Sequence, residues 1–96
     1  MFLNETDLEK FDKDGYLFFP KLFNSDEAAL LKEEADKVYL EDRKEVWKES
    51  TGVARTAFAA HTYNEAFRRL AAHPRLIDPV SQLLDGDVYM HQFKLN

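Results

Sequence analysis

The chain of 96 residues has the size of one small domain, and its 45% hydrophobic and 32% charged residues are typical of a globular protein. The formal net charge of -5 argues against nucleic-acid and anionic-membrane partners, because binding either of them needs a surplus of Lys and Arg. The absence of Cys excludes disulfides, thiolate zinc sites and Cys nucleophiles, and it fits a cytoplasmic location. No apolar stretch approaches the roughly 20 residues that span a bilayer.

The first predicted element is a short helix that ends at a glycine. Asn4 or Thr6 can accept from the free backbone amides at its start, and Gly15 suits its end because glycine adopts the left-handed conformation without strain. The next four residues, 16–19, are all apolar and lie between this glycine and Pro20. They predict a short buried strand.

A longer helix is predicted to begin at Asn24 or Ser25, with acidic residues directly after the cap near the positive end of the helix dipole. Apolar side chains then recur at three- and four-residue spacing and predict one buried stripe, formed by Ala28, Leu31, Ala35, Val38 and Tyr39. From residue 41 to 50 charge is dense and periodicity fades. This segment predicts a helix end and a loop anchored by Trp47.

The second half of the chain alternates strands with short helices. Residues 53–60 predict a strand with Arg55 and Thr56 on opposite faces. Two short helices follow over 65–73 and 75–84, and residues 87–96 alternate like a strand. One face of that strand carries Val88, Met90, Gln92, Lys94 and Asn96, and the other carries Tyr89, His91, Phe93 and Leu95, which are expected to pack against the N-terminal helices. The fold class is therefore α+β.

Residue patterns for catalysis or metal binding are missing from the sequence. A mononuclear iron site of the oxygenase type needs two imidazoles and one carboxylate, and His61, His73 and His91 are the only imidazoles. None of them begins a His-x-Asp or His-x-Glu pair, so each is more simply interpreted as a surface or structural residue. Phosphate loops, nucleophile elbows and zinc-binding helices are absent as well. We expect no metal ligand and no catalytic residue among the 96.

Several segments resemble, in order, the phytanoyl-CoA dioxygenase family, which includes ectoine hydroxylase and amino-acid hydroxylases. Residues 11–17 read Phe-Asp-Lys-Asp-Gly-Tyr-Leu and residues 22–27 read Leu-Phe-Asn-Ser-Asp-Glu, like the opening Phe-x-x-x-Gly-Tyr and Phe-x-x-x-Glu of that family. The resemblance continues through 73–76 and 83–89 to 91–96, which reads His-Gln-Phe-Lys-Leu-Asn. It covers nearly the whole chain.

The resemblance implies an enzyme that depends on Fe(II) and 2-oxoglutarate and hydroxylates a small polar metabolite, such as an amino-acid derivative. Its fold would be a double-stranded β-helix, also called a jelly roll, with residues 1–96 forming the N-terminal part of a single oxygenase domain. Family members carry their iron ligands beyond the position of Asn96, and this residue lies in a predicted strand, where natural domains seldom stop. The chain is therefore expected to be a fragment that alone is inactive, binds neither cofactor and has the remainder of the barrel as its partner.

The resemblance also suggests residues that bind the substrate or the cosubstrate. Gln92 matches a glutamine that faces the substrate in relatives similar to ectoine hydroxylase, and Lys94 and Asn96 share its strand face. These side chains can orient carboxylates, and Arg55 can add a forked pair of donors. Alternatively, Gln92, Lys94 and Asn96 merely lie on a solvated sheet face, and Arg55 forms an ordinary surface or structural ion pair.

A second hypothesis from another functional class is a non-catalytic binding domain that stands alone. It would use the face with Gln92, Lys94 and Asn96 for recognition and would need no metal.

Trp47 and Phe58 can border a substrate entrance, or they can simply pack.

Overall fold

The computed structural model, which describes residues 2–96, is an α+β arrangement and agrees with the predicted fold class. In chain order the elements are α1 (Glu5–Asp14), α2 (Ser25–Tyr39), β1 (Val46–Lys48), β2 (Ala54–Phe58), a 3-10 turn (Ala60–Thr62), α3 (Glu65–Ala71), α4 (Pro74–Leu84) and β3 (Lys94–Leu95). A membrane-crossing helix, both long and apolar, is not found among these residues.

Asparagine caps set the starts of α1 and α2. The Asn4 side chain accepts from the backbone amide of Asp7 at 2.8 Å, and the Asp7 carboxylate accepts from the backbone amide of Asn4 at 3.2 Å. Asn24 and Glu27 form the same reciprocal pair at 2.8 and 2.9 Å. Gly15 ends α1 in the left-handed conformation, with φ of 80°. The structure thus selects Asn4 and Asn24 from the caps that the sequence allowed.

The three strands form one antiparallel sheet in the order β1-β2-β3. Val46 lies opposite Ala57, and Ala57 lies opposite Leu95, so these side chains share the face that α2 and α3 cover. The buried cluster on this face consists of Val38, Val46, Ala57, Ala60 and Phe67. We call the sheet, α2, α3 and this cluster the sheet corner.

The residues before α2 form an N-terminal arm, 2–23, which polar contacts attach to α4. The backbone amide of Leu3 donates to Gln82 Oε1 at 2.7 Å, and Gln82 Nε2 donates to the Leu3 carbonyl at 3.0 Å. Arg75 donates to the Leu22 carbonyl at 2.8 Å. No residue of α1 is buried, although Leu3 just before it is.

Arg75 also joins α4 to the start of α2. Its guanidinium donates to both carboxylate oxygens of Glu27 and lies 4.6 Å over the Phe23 ring. The bond from Arg75, followed by that from the Asn24 amide, lowers the pKa of Glu27 from 4.5 to about 2. The carboxylate is thus held in its charged form by donors that folding brings together.

Two predicted elements are wrong. Residues 16–19 form no strand, and Tyr16 and Phe18 are 62% and 77% exposed, because an apolar run becomes a buried strand only where a partner strand lies beside it. Trp47 lies in β1 rather than in a loop, since Val46 and Trp47 pair with β2 despite the surrounding charges. Local composition could not predict either pairing.

The predicted strand over 87–96 is shorter in the structure. Only Lys94 and Leu95 form β3, because β2 offers partners for these two residues alone. Phe93 and Leu95 pack against the buried cluster as expected, whereas Tyr89 is 83% exposed and His91 is exposed. The expected packing of Tyr89 and His91 against the N-terminal helices is therefore wrong.

Candidate ligand-binding site

A hollow lies on the side of the sheet opposite α2 and α3. Its volume is about 430 Å³, and its lining is Trp47, Arg55, Thr56, Phe58, Lys94 and Asn96. We call it the outer hollow. Three of the four predicted site residues, Arg55, Lys94 and Asn96, meet in it although about 40 residues separate the two strands in sequence. Antiparallel pairing of β2 with β3 brings them together.

An irregular register places Arg55 in the outer hollow. Trp47 pairs with Thr56 and Lys48 pairs with Ala54, so Arg55 is the extra residue between two ladder positions. A regular strand would direct Arg55 and Thr56 to opposite faces, but here both line the same hollow. The expectation of opposite faces is wrong, because a bulge shifts the alternation by one residue.

The walls of the outer hollow are partly fixed by side-chain contacts. The hydroxyl of Thr56, which is 8% exposed, lies 3.2 Å from Asn96 Oδ1 and donates to it. The amide nitrogen of Asn96 therefore stays available as a donor. Trp47 packs edge to face on Phe58 with ring centroids 4.8 Å apart and supplies an apolar wall.

A second cavity adjoins the outer hollow. Its volume is about 440 Å³, and its lining is Phe58, Ala59, His61, His91, Gln92, Phe93 and Lys94. We call it the histidine cavity. It contains Gln92, the fourth predicted site residue, and it shares Phe58 and Lys94 with the outer hollow. The predicted residues thus fall into two neighbouring spaces that meet at Lys94.

Both spaces favour anions although the protein is acidic overall. The net charge of the chain is -5, but neither lining contains Asp or Glu. Arg55 and Lys94 form no ion pair with any residue from 2 to 96. The alternative that Arg55 belongs to an ordinary ion pair is therefore not seen. Two unpaired cations and two side-chain amides are suited to carboxylate oxygens.

The wall shared by the two spaces is anchored from behind. The Tyr63 hydroxyl donates to the Phe58 carbonyl at 2.9 Å, and the Arg43 guanidinium lies 3.7 Å over the Tyr63 ring. Burial raises the pKa of Tyr63, so the phenol remains a donor at neutral pH. These contacts hold the end of β2 where both spaces meet.

Sequence reasoning did not select His61, which the structure places in the histidine cavity. Ala59 has a left-handed φ of 57°, and its amide donates to the Phe93 carbonyl at 2.8 Å. This turn brings the His61 ring to 5.2 Å from the Phe93 ring. The only sign of this placement in the sequence was a histidine just after a predicted strand. The turn itself could not be predicted, because it depends on a hydrogen bond to Phe93, which is distant in sequence.

The described residues do not fit an iron centre. From 2 to 96, no group of three or more His, Cys, Asp or Glu side chains is arranged to hold a metal ion. His61 and His91 share a cavity, but its lining has no carboxylate to complete a ligand set of two imidazoles and one carboxylate. By contrast, the unpaired cations and amides fit the carboxylates of 2-oxoglutarate.

The chain is similar to curated oxygenases. It is 36% identical over 94 residues to the ectoine dioxygenase of Stutzerimonas stutzeri, covering 93% of this chain and 31% of that protein. It is 31% identical over 88 residues to the L-proline trans-4-hydroxylase of Streptomyces griseoviridis, covering 91% and 33%. The chain thus spans about a third of the length of these relatives.

Solved structures and a family model agree with these similarities. Crystal structures of EctD from S. alaskensis, one with 2-oxoglutarate and 5-hydroxyectoine and one with bound Fe, match with TM-scores of 0.84 and 0.85 at 31% identity. Each match covers 98% of this chain and 35% of that one. The family model of phytanoyl-CoA dioxygenase (PhyH) matches residues 11–96, which confirms the resemblance seen in the sequence. The chain belongs to the phytanoyl-CoA dioxygenase family.

Proposed function

We propose that these 96 residues are the N-terminal part of a dioxygenase that depends on Fe(II) and 2-oxoglutarate and hydroxylates a small polar metabolite, such as ectoine or another amino-acid derivative. Membership of the family supports this activity, and the EctD structures contain the same cofactors. The fold of the whole enzyme is a jelly roll in this proposal, and its remainder is the partner of the sheet corner. A cytoplasmic location is part of the proposal and is compatible with the absence of Cys.

The observation that carries the proposal is the meeting of Arg55, Lys94 and Asn96 in the outer hollow, beside Gln92 in the histidine cavity. Their cations and amides are suited to a ligand that carries carboxylates, and both 2-oxoglutarate and amino-acid derivatives are of this class. Trp47 and Phe58 supply an apolar wall beside these groups.

The described residues serve binding and orientation in this proposal. Lys94 and Arg55 hold a carboxylate, Asn96 donates through its amide nitrogen, and Gln92 orients the substrate. The proposal places the iron ligands outside residues 2–96, among which no group of three or more His, Cys, Asp or Glu side chains is arranged to hold a metal ion. Positioning of this kind lowers the barrier because the reacting groups are held close before chemistry begins.

Consumption of 2-oxoglutarate tests the proposed activity in the natural protein that carries this chain, with Fe(II) and with ectoine, L-proline or no substrate added. We expect consumption that one of these small metabolites stimulates. Calorimetry on the 96-residue chain is the second measurement. Tight, stoichiometric Fe(II) binding by this chain alone would contradict the proposal.

Substitution of the cations tests the residues. Lys94→Met and Arg55→Met are each expected to raise the KM for 2-oxoglutarate or for the substrate by about tenfold, because one charge-assisted hydrogen bond is lost. Lys48→Met is the matched control, since Lys48 is an exposed lysine of β1 that lines neither space. An equal effect of all three substitutions would show a general charge effect rather than a binding site.

A further inference from the structure

The His61 imidazole presents an unusual pair of nitrogens. Nδ1 is fully buried and has no hydrogen-bond partner within residues 2–96. Nε2 is not among the buried, unpartnered atoms and makes no hydrogen bond within the same residues, so it is accessible from outside. One nitrogen is thus enclosed, and the other can be reached by solvent.

This difference determines the tautomer of the neutral ring. A neutral imidazole carries one proton, and a buried N–H without an acceptor is rarer in proteins than a buried acceptor without a donor. The proton therefore belongs on Nε2, where water or a ligand can accept from it. His61 then presents an N–H donor and keeps its lone pair inside the protein.

The surroundings of the ring indicate where the donor points. His61 borders the histidine cavity and a second space lined mainly by apolar residues of α3, α4 and the segment before β3. Neither lining contains Asp or Glu. In the second space Arg68 is already paired with Glu65 at 2.9 Å, whereas in the histidine cavity Lys94 has no ion-pair partner among residues 2–96. A hydrogen-bond donor beside an amide and an ammonium completes a group that accommodates a carboxylate.

Packing holds the ring in this position. The Phe93 ring contacts both the His61 ring and the buried Phe67 ring, with centroids 5.2 and 5.5 Å away. Behind the ring, the Thr62 hydroxyl donates to the Ala59 carbonyl at 2.7 Å and stabilises the turn. A donor fixed in this way loses little conformational entropy when a ligand binds.

From these contacts we infer that His61 is a ligand-binding residue, whose Nε2–H donates to a carboxylate oxygen of a small molecule in the histidine cavity, beside Gln92 and Lys94. The identity of this molecule as substrate or cosubstrate rests on the proposed function. The tautomer of His61 and its contact with a carboxylate do not rest on the proposed function.

The first test is a long-range ¹⁵N–¹H spectrum of the histidine side chains in the ¹⁵N-labelled 96-residue chain, recorded above the titration range of imidazole. We expect the His61 proton on Nε2. A proton on Nδ1 would overturn the inference. This measurement needs no variant and no enzymatic activity.

The second test is a calorimetric titration of the natural protein that carries this chain with 2-oxoglutarate, and the dimethyl ester of 2-oxoglutarate is the uncharged control. We expect His61→Phe, which keeps the aromatic contact and loses the donor, to weaken binding by about tenfold. His61→Gln, whose amide can donate from nearly the same place, should restore most of the affinity. His73 lines neither the histidine cavity nor the outer hollow, and His73→Asn, which keeps an acceptor at the start of α4, supplies the comparison with little effect.

Binding of 2-oxoglutarate that is equal in the natural protein and in its His61→Phe variant would overturn the inference, as would equal binding of the ester. Backbone amide spectra show whether each variant is folded. If His61→Phe does not fold, the tautomer of His61 in the unchanged chain decides whether the inference stands. Inactivity of the natural protein as an oxygenase would refute the proposed function and leave the carboxylate contact of His61 intact. The two failures are therefore distinguishable.

Discussion

The sheet corner and the N-terminal arm are stabilised by different interactions. In the sheet corner, apolar side chains of α2, α3 and the strands enclose Ala57 and Ala60 completely. In the arm, no residue of α1 is buried, and Leu3 is the buried apolar residue among 2–23. The contacts of the arm with α4 are the hydrogen bonds of Leu3 and Leu22 and the packing of the Phe23 ring on Arg75 and His73. Burial of apolar surface contributes most to folding free energy, whereas partly exposed hydrogen bonds contribute little. The arm should therefore open without loss of the sheet corner.

The largest expected effect is in the apolar core of the sheet corner. Phe67→Ala removes a ring that is 3% exposed and should lower the free energy of unfolding by about 3 to 5 kcal/mol. Phe18→Ala removes a phenyl ring of the arm that is 77% exposed, and it should change the free energy of unfolding by less than about 0.5 kcal/mol. Urea denaturation measures both, and equal losses would contradict the difference between the regions.

A smaller effect separates the two capping boxes. Asn24→Ala removes the cap of α2, which packs in the sheet corner, and should cost about 1 kcal/mol in global unfolding. Asn4→Ala removes the matching cap of α1, which should only increase fraying of that helix. Hydrogen exchange of the α1 amides, combined with urea midpoints, distinguishes local from global loss. A global effect of Asn4→Ala would show that the arm folds cooperatively with the rest.

The smallest expected effect is the pH dependence at the junction of α2 with α4, the helix that holds the arm. Because Arg75 lowers the pKa of Glu27 from 4.5 to about 2, the charged carboxylate stabilises the folded state above that range, and this contribution is lost as the pH falls through it. The pair is about one third exposed, so solvent screening keeps the contribution modest.

Urea midpoints of the chain and of Glu27→Gln, measured from about pH 5 to about pH 2, test this dependence. The difference between the two midpoints should shrink as the pH falls. Glu33→Gln, in an exposed carboxylate of the same helix, is the matched control and should show no such convergence. A difference that stays constant with pH would contradict the role of the pair.

Features that depend on neighbouring residues were predictable from the sequence. The caps at Asn4 and Asn24 follow from side-chain chemistry within three residues, and the structure contains both. The end of α1 at Gly15 follows from the conformational freedom of glycine. Local chemistry therefore determined most helix limits.

Features that depend on pairing between distant segments were not predictable. Residues 16–19 looked like a buried strand, but burial needs a partner that the run itself does not specify. The bulge at Arg55 arises from the register of β1 against β2. Lys94 and Asn96 could be assigned to one face by alternation, whereas the presence of Arg55 in the same hollow depends on that bulge. The role of these residues in binding stays a prediction.

The position of Lys94 between the outer hollow and the histidine cavity has a thermodynamic consequence. A single ammonium cannot fully neutralise two anions at once, so occupation of either compartment should weaken the other, by the same factor in both directions. Antagonism between two small acids would therefore be a property of one side chain and would require no movement of the backbone.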